Sequence, residues 1–367
     1  MSDAPDLPDQ REGAPHPCAT PVLYGQQAAE AAFLQAFGSG RMHHAWLLSG
    51  PMGVGKATLA WRIARFLLAG DGGNMFGPPD TLDVPEDHPT VRRLRAGADG
   101  GLLVIRRGVD DKGNLRRDIT VDVMRRLHTF FGLSAADGGQ RVVIVDAADE
   151  MNTNAANALL KALEEPPANA TLLLVAHQPS RLLPTIRSRC RDLRLSALGP
   201  DDFASALAQA GVEGDAATLA ELSGGSVGQA VELALGGGAE IYADLVALFA
   251  TLPRMDRARA LRLAESMAGK GNEVRFALFL RLFDLFMARA ARAGVMGPGP
   301  EAVAGEAATL ARIAPHAPAA QALAELAPAL SARARHGRAV NLDPAALVLD
   351  MVLKTEEGLA PLLGQKA

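Results

Sequence analysis

Nine consecutive residues, Gly50-Pro51-Met52-Gly53-Val54-Gly55-Lys56-Ala57-Thr58, have the types and spacing to hold a phosphate. Glycine, four residues, then Gly-Lys is the pattern of a loop that cradles phosphate oxygens between a strand and a helix. Gly50 and Gly55 permit backbone angles closed to other residues, so successive N–H groups can turn toward an anion. The helix that follows adds the positive end of its dipole, and Lys56 adds a full charge. The expected nucleotide-binding set is Gly50, Gly53, Gly55, Lys56, Ala57 and Thr58, with Asp146 further along the chain. Ala57 stands where a magnesium-holding hydroxyl belongs. Thr58 comes one residue late, about 100° round the helix.

Val142-Val143-Ile144-Val145-Asp146 is a buried-strand pattern ending in a carboxylate. In phosphate-loop folds such an aspartate orders magnesium and water beside the loop, because parallel strands present their C-terminal ends at the switch point. The next position, where ATPases of this type place a glutamate to polarise water, is Ala147. Asp149 and Glu150 lie on the following turn and are not obvious substitutes. His177 closes another apolar strand, and phosphate contact and a ligand-free strand end are equally open for it. Arg116, Arg117, Arg125 and Arg126 read first as a solvated face, with phosphate contact as the alternative.

The elements that must position these groups can be read from periodicity and punctuation. A helical pattern over residues 22–37 precedes the strand Ala45-Trp46-Leu47-Leu48, the glycine loop, and a helix that Gly70 stops. Strands follow at residues 102–105, 142–146 and 171–176, with a last one ending at Leu195. Helices are expected from Thr120 to about Phe131 and over residues 154–165, the second halted by Pro166-Pro167. This order fits a largely parallel sheet covered by helices. Residues 1–20 read as a disordered tail and residues 70–100 as a long surface excursion. After Ser196 only Ala/Leu-rich helical patterns remain: residues 201–210, 216–222 and 227–235, then, past Gly236-Gly237-Gly238, six more. Those six fall near residues 240–251, 256–268, 272–293, 300–312, 318–335 and 343–358. Arg275, Arg281, Asp284 and Arg289 interrupt the most apolar of them, which makes it the core of a helical bundle rather than a membrane span.

Composition narrows the classes. A chain of 367 residues suggests two to three domains, and 49% apolar residues can supply their cores. The net charge of −4 provides no global basic field to draw the chain to nucleic acid, so any DNA contact is local or shared with partners. Cys18 and Cys190 stand far apart, which argues for a reducing compartment and against a disulfide framework or a cysteine-built zinc site. No run of about 18 apolar residues appears, and the acidic, proline-rich start is unlike a signal peptide. The expectation is a soluble, cytoplasmic protein with no membrane partner.

The glycine loop, the strand aspartate, Asn-Ala-Leu-Leu-Lys-Ala-Leu-Glu-Glu-Pro-Pro at residues 157–167 and Ser-Arg-Cys at residues 188–190 occur in that order. Together with His44-Ala45-Trp46-Leu47-Leu48-Ser49-Gly50, this set resembles the clamp-loader branch of the AAA+ ATPases over roughly residues 20–235. The resemblance implies an α/β phosphate-loop (AAA+, RecA-like) domain at residues 21–197, a small helical lid at 198–238 and an all-α C-terminal collar domain at 239–367. The branch's motor subunit, gamma/tau, would keep a hydroxyl at 57, glutamate at 147 and an arginine in the Gly-Ser-x-Arg lid motif. Here those positions are Ala57, Ala147 and Gly228, while Arg189 of Ser-Arg-Cys is intact.

The resemblance therefore implies a subunit without its own ATPase, with Arg189 as a catalytic arginine finger acting in trans on a neighbour's ATP site. Implied partners are gamma/tau and delta clamp-loader subunits, and the sliding clamp and primed DNA through the complex. ATP or ADP is expected to be held without hydrolysis, if at all. Relatives often carry a four-cysteine zinc module after the phosphate-loop helix; residues 70–100 contain no cysteine, so no zinc is expected. The alternative is a catalytically active, gamma/tau-like DNA-dependent ATPase.

Overall fold

The computed structural model describes residues 10, 12–40, 42–70, 79–132 and 139–363. The chain divides into two compact units, residues 1–211 with 226–228, and residues 212–225 with 229–367. Among the described residues of the first unit, four largely apolar runs and one charged stretch form strands: β1 (Ala45–Ser49), β2 (Leu102–Ile105), β3 (Arg141–Asp146), β4 (Ala170–Ala176) and the charged β5 (Arg191–Arg194). All pair in parallel, in the order β2-β3-β4-β1-β5. Parallel neighbours need crossovers, and the helices that supply them cover both faces of the sheet. This is why β1 and β4 are buried at every residue.

Among the described residues seven α-helices lie wholly in this unit: α1 (Gln27–Gly38), α2 (Lys56–Ala69), α3 (Pro89–Arg95), α4 (Val121–Gly132), α5 (Thr153–Glu164), α6 (Pro184–Arg187) and α7 (Pro200–Gln209). Alternate strand residues feed two cores. Trp46, Leu48, Ile144 and Val175 pack with Phe33 of α1 and Leu59 and Ile63 of α2. Leu47, Val143, Val145, Leu172 and Leu174 pack with Met124 and Leu127 of α4 and Leu159 of α5. The period of two along each strand thus assigns α1 and α2 to one face, and α4 and α5 to the other.

Two stretches differ from the reading of the sequence. The disordered tail expected over residues 1–20 is corrected at its C-terminal end, where Pro17–Ala19 form a 3₁₀ turn and Cys18 is buried in the first core. The Arg65 guanidinium, itself buried, donates to the Cys18 carbonyl at 2.7 Å, and the His16 ring stands edge-on to Trp61. A proline-rich stretch resists long helices and strands but can still dock through one apolar side chain. Residues 1–9 and 11 lie outside the described residues.

The excursion at residues 70–100 contains α3, which buries Val91 and Leu94; residues 71–78 of it lie outside the described residues. Pro89 opens this helix, and the His88 ring accepts from the Thr90 amide at 3.2 Å. Arg62 of α2 clamps the region, bonding Glu30 at 2.7 Å and Asp83 at 2.8 Å. Seven residues are too few for a legible helical period, so α3 is apparent only from its packing.

The second unit is helical: α8 (Ala216–Ser223), α9 (Val227–Leu235, beginning in the first unit), α10 (Gly238–Phe249), α11 (Arg257–Glu265), α12 (Glu273–Met296), α13 (Glu306–Ile313), α14 (Ala317–Ala339) and α15 (Pro344–Leu363). The expected apolar helix is α12; it buries Phe276, Phe279, Phe283, Phe286 and Met287. Its Arg289 does not face a membrane. The guanidinium bonds the fully buried Glu306 carboxylate of α13, with Nε at 2.6 Å, and Tyr242 of α10 donates to the same carboxylate at 2.6 Å. Among the described residues no helix is long and apolar enough to cross a membrane.

Candidate functional site

β1 ends at Ser49 and releases residues 50–55 into α2, so the glycine loop leaves the C-terminal edge of the sheet. Gly50, Gly53 and Gly55 have φ of 140°, 77° and 99°, a region in which side chains are strained. Protein atoms also require these glycines. A methyl at Gly50 would overlap the Leu195 carbonyl, one at Gly53 would meet Ser226 Oγ at 2.5 Å, and one at Gly55 would meet Leu23 Cδ1 at 2.5 Å. Ser226–Gly228, part of the first unit, binds the loop directly: Ser226 Oγ donates to the Met52 carbonyl at 2.7 Å, and the Gly228 amide donates to the Gly53 carbonyl at 3.0 Å.

Lys56, the first residue of α2, is buried. Its ammonium donates to the Gly50 carbonyl at 2.8 Å and to the Pro51 carbonyl. The loop, the lysine and the α2 N-terminus fit a phosphate in kind. A phosphate reaching Lys56 would exchange with bonds the lysine makes to its own loop. Ala57 offers no oxygen, and Thr58 is half-buried on the first turn of α2.

Asp146 ends β3, opposite Val175 of β4, and β4 in turn pairs with β1. The aspartate is therefore two strand spacings, roughly 10 Å, from the strand that feeds the loop. The two carboxylates after Ala147 have other tasks. Asp149 accepts from the His177 amide at 3.0 Å and the Gln178 amide at 2.9 Å, and so shapes the turn after β4. Glu150 pairs with Arg107 at 2.9 Å, and burial raises its pKa. Neither replaces the missing glutamate. His177 sits at the C-terminal end of β4, on the same edge of the sheet as the loop.

Arg189 stands apart from this set. It lies between α6 and the first residue of β5, at the N-terminal edge of a strand parallel to β1, whereas the glycine loop leaves the C-terminal edge. Its guanidinium bonds Glu164 at 2.9 Å and the Thr185 carbonyl at 3.0 Å, and both members of the ion pair are partly exposed. Glu164 is the first glutamate of Leu-Glu-Glu-Pro-Pro, so this pair joins two motifs read separately in the sequence. Cys190, beside it, has its thiol pushed up to about 12 by burial and stays neutral. Of the four arginines at 116–126, Arg116 bonds the Val109 carbonyl at 3.1 Å and Arg125 pairs with Asp122 at 2.7 Å.

Comparison with known proteins agrees with the motifs. Residues 25–199 match the family described as "DNA polymerase III, delta subunit". DNA polymerase III subunit delta' of Pseudomonas aeruginosa is 38% identical over 200 residues, covering 54% of this chain and 57% of that protein. Subunit delta' of Escherichia coli is 32% identical over 177 residues, covering 46% of this chain and 47% of that protein. A gamma/tau subunit, that of Mycobacterium bovis, is 32% identical over 207 residues, covering 53% of this chain and 31% of its own length. The chain spans about half the length of the delta' relatives it matches. The family match and these relatives together show a resemblance to the delta' subunit of DNA polymerase III, carried by the sheet-bearing half of the chain.

Proposed function

We propose that this chain is a non-hydrolysing subunit of a DNA polymerase III clamp loader. It acts beside gamma/tau and delta subunits to load the sliding clamp onto primed DNA. One observation carries the reading: Arg189 stands at the opposite edge of the sheet from the chain's own glycine loop. A guanidinium placed there serves a phosphate held by another subunit. Its pairing with Glu164 is partly exposed, and such pairs are worth about 0–1 kcal/mol. Release toward a neighbour's phosphate therefore costs little. The hydrolytic positions support the same division of labour, since Ala57, Ala147 and Gly228 lack the groups that hold magnesium, polarise water and steady the triphosphate.

In this reading residues 21–197 are an AAA+ domain, residues 198–238 a helical lid and residues 239–367 a collar through which the subunits assemble. Phosphoryl transfer depends on charge stabilisation and a positioned water rather than covalent help. An arginine supplied in trans contributes about 10³–10⁵ in rate in related systems. ATP or ADP, where held, lies on Gly50, Gly53, Gly55, Lys56, Ala57 and Thr58 near Asp146 and is not turned over. No zinc is expected to take part, since residues 70–100 contain no cysteine to hold it.

The test is reconstitution with gamma/tau, delta, clamp and primed DNA. Arg189→Ala is expected to lower DNA-stimulated ATP turnover of the complex by roughly 10³-fold at the site it serves. The chain alone is expected to turn over no ATP. Unchanged turnover in the complex removes the finger role, and turnover by the chain alone favours the gamma/tau-like motor instead.

A further inference from the structure

A second cleft lies on the same unit, apart from the glycine loop. It encloses about 410 Å³ beside the C-terminal ends of β1 and β4, along β5 and against α6. Gly50 is the one residue it shares with the loop; Lys56, Ala57 and Thr58 do not line it. Arg187 of α6 and Arg194 at the end of β5 both line it. Among the described residues neither guanidinium has a hydrogen-bond or ion-pair partner.

Both guanidiniums are exposed and hydrated, and their forks of donors remain available to an anion that enters the cleft. Asp192 is the single carboxylate of the lining, and one of its oxygens already accepts from Ser49 Oγ at 2.7 Å. Cys190 also lines the cleft and, being neutral, adds no negative charge. The lining therefore carries a net positive charge.

We propose that this cleft binds a nucleoside monophosphate. Arg187 and Arg194 grip the phosphate, since the planar guanidinium fork matches its oxygens. Leu47 and Pro179 supply an apolar wall for the base, and the second oxygen of Asp192 is an acceptor for a sugar hydroxyl. The volume lies at the small end of the range for ligand pockets and suits a ligand with one phosphate.

The experiment is titration of the full chain with AMP, followed by calorimetry and by the imidazole resonances of His177, which also lines the cleft. AMP is expected to shift those resonances. Arg187→Ala with Arg194→Ala is expected to weaken binding at least tenfold, and the paired lysine variant to retain part of the affinity. Circular dichroism checks that each variant is folded. The proposal is overturned if AMP leaves His177 unmoved, if the paired alanine variant binds as the unmutated chain does, or if Lys56→Ala alone abolishes binding. The last result would place the anion in the glycine loop. None of these outcomes depends on Arg189 or on assembly.

Discussion

Gly53 has two roles at the scale of one residue. In the sequence it is part of a phosphate loop; in the fold it makes room for Ser226 and Gly228, of which Ser226 bonds the loop across 174 residues of chain. Positive φ and crowding act together there. Gly53→Ala is expected to destabilise the first unit by about 1–3 kcal/mol. Trp46 and Trp61, the two tryptophans of the chain, both lie in that unit, so fluorescence against urea measures it cleanly. An unchanged midpoint would show that the loop yields without cost. Glycines in such a motif are usually credited to the ligand, yet here the backbone next to them demands glycine as well.

Elements place charged groups where their titration affects stability. His44, just before β1, stacks on His43 with centroids 4.6 Å apart and bonds the Leu163 carbonyl of α5 at 3.0 Å. Burial first, and then the His43 charge, lower its pKa; the carbonyl opposes them. In the unfolded chain a histidine takes up its proton near 6.5, and folded His44 does so only at lower pH. Between those values the unfolded chain holds more protons, so stability rises with pH up to about 6.5 and falls as the solution is acidified. Fluorescence-detected urea midpoints between pH 5 and 8 are expected to follow that slope, and His44→Gln to flatten it.

In the helical unit the corresponding element-scale feature is α13. Glu306 accepts from Tyr242, Arg289 and the Ala302 amide while fully buried. Glu306→Ala leaves the Arg289 charge without its main partner and is expected to cost about 3–5 kcal/mol, read from thermal loss of helical circular dichroism. A loss below 1 kcal/mol would mean that Glu221, the other carboxylate of Arg289 at 3.2 Å, suffices.

At the scale of the whole molecule, the proposed role separates holding a nucleotide from splitting one. Calorimetric titration of the chain with ATP is expected to show binding that Lys56→Ala abolishes. Magnesium should change it by less than tenfold, because Ala57 offers no oxygen to the metal. No binding at all would leave the glycine loop as a structural device held by Lys56, Ser226 and Gly228.

Much of this architecture was legible without coordinates. The inner strands β1, β3 and β4 are mostly continuous apolar runs, since strands buried on both faces need no polar alternation, whereas the edge strand β5, Arg-Asp-Leu-Arg, buries only Leu193. Of the ten helices expected beyond residue 150, nine end within about five residues of their expected places, because the Ala/Leu stripes repeat at the helical period. The other, α13, starts six residues late, and the four-residue α6 has no counterpart among those expected. The motifs that carry chemistry are local in sequence, and local spacing is what a sequence displays. The losses at Ala57, Ala147 and Gly228 needed no fold to be seen.

Tertiary structure alone decided the rest. It docked Cys18 and formed α3, where a single buried side chain or one short turn outweighs composition. It committed Asp149 and Glu150 to partners on other elements, paired Arg189 with Glu164, and brought Arg187 and Arg194 to one cleft. Each of these joins residues through strand order and crossovers. Which two side chains meet depends on the path of the backbone between them, and spacing along the chain does not contain that path.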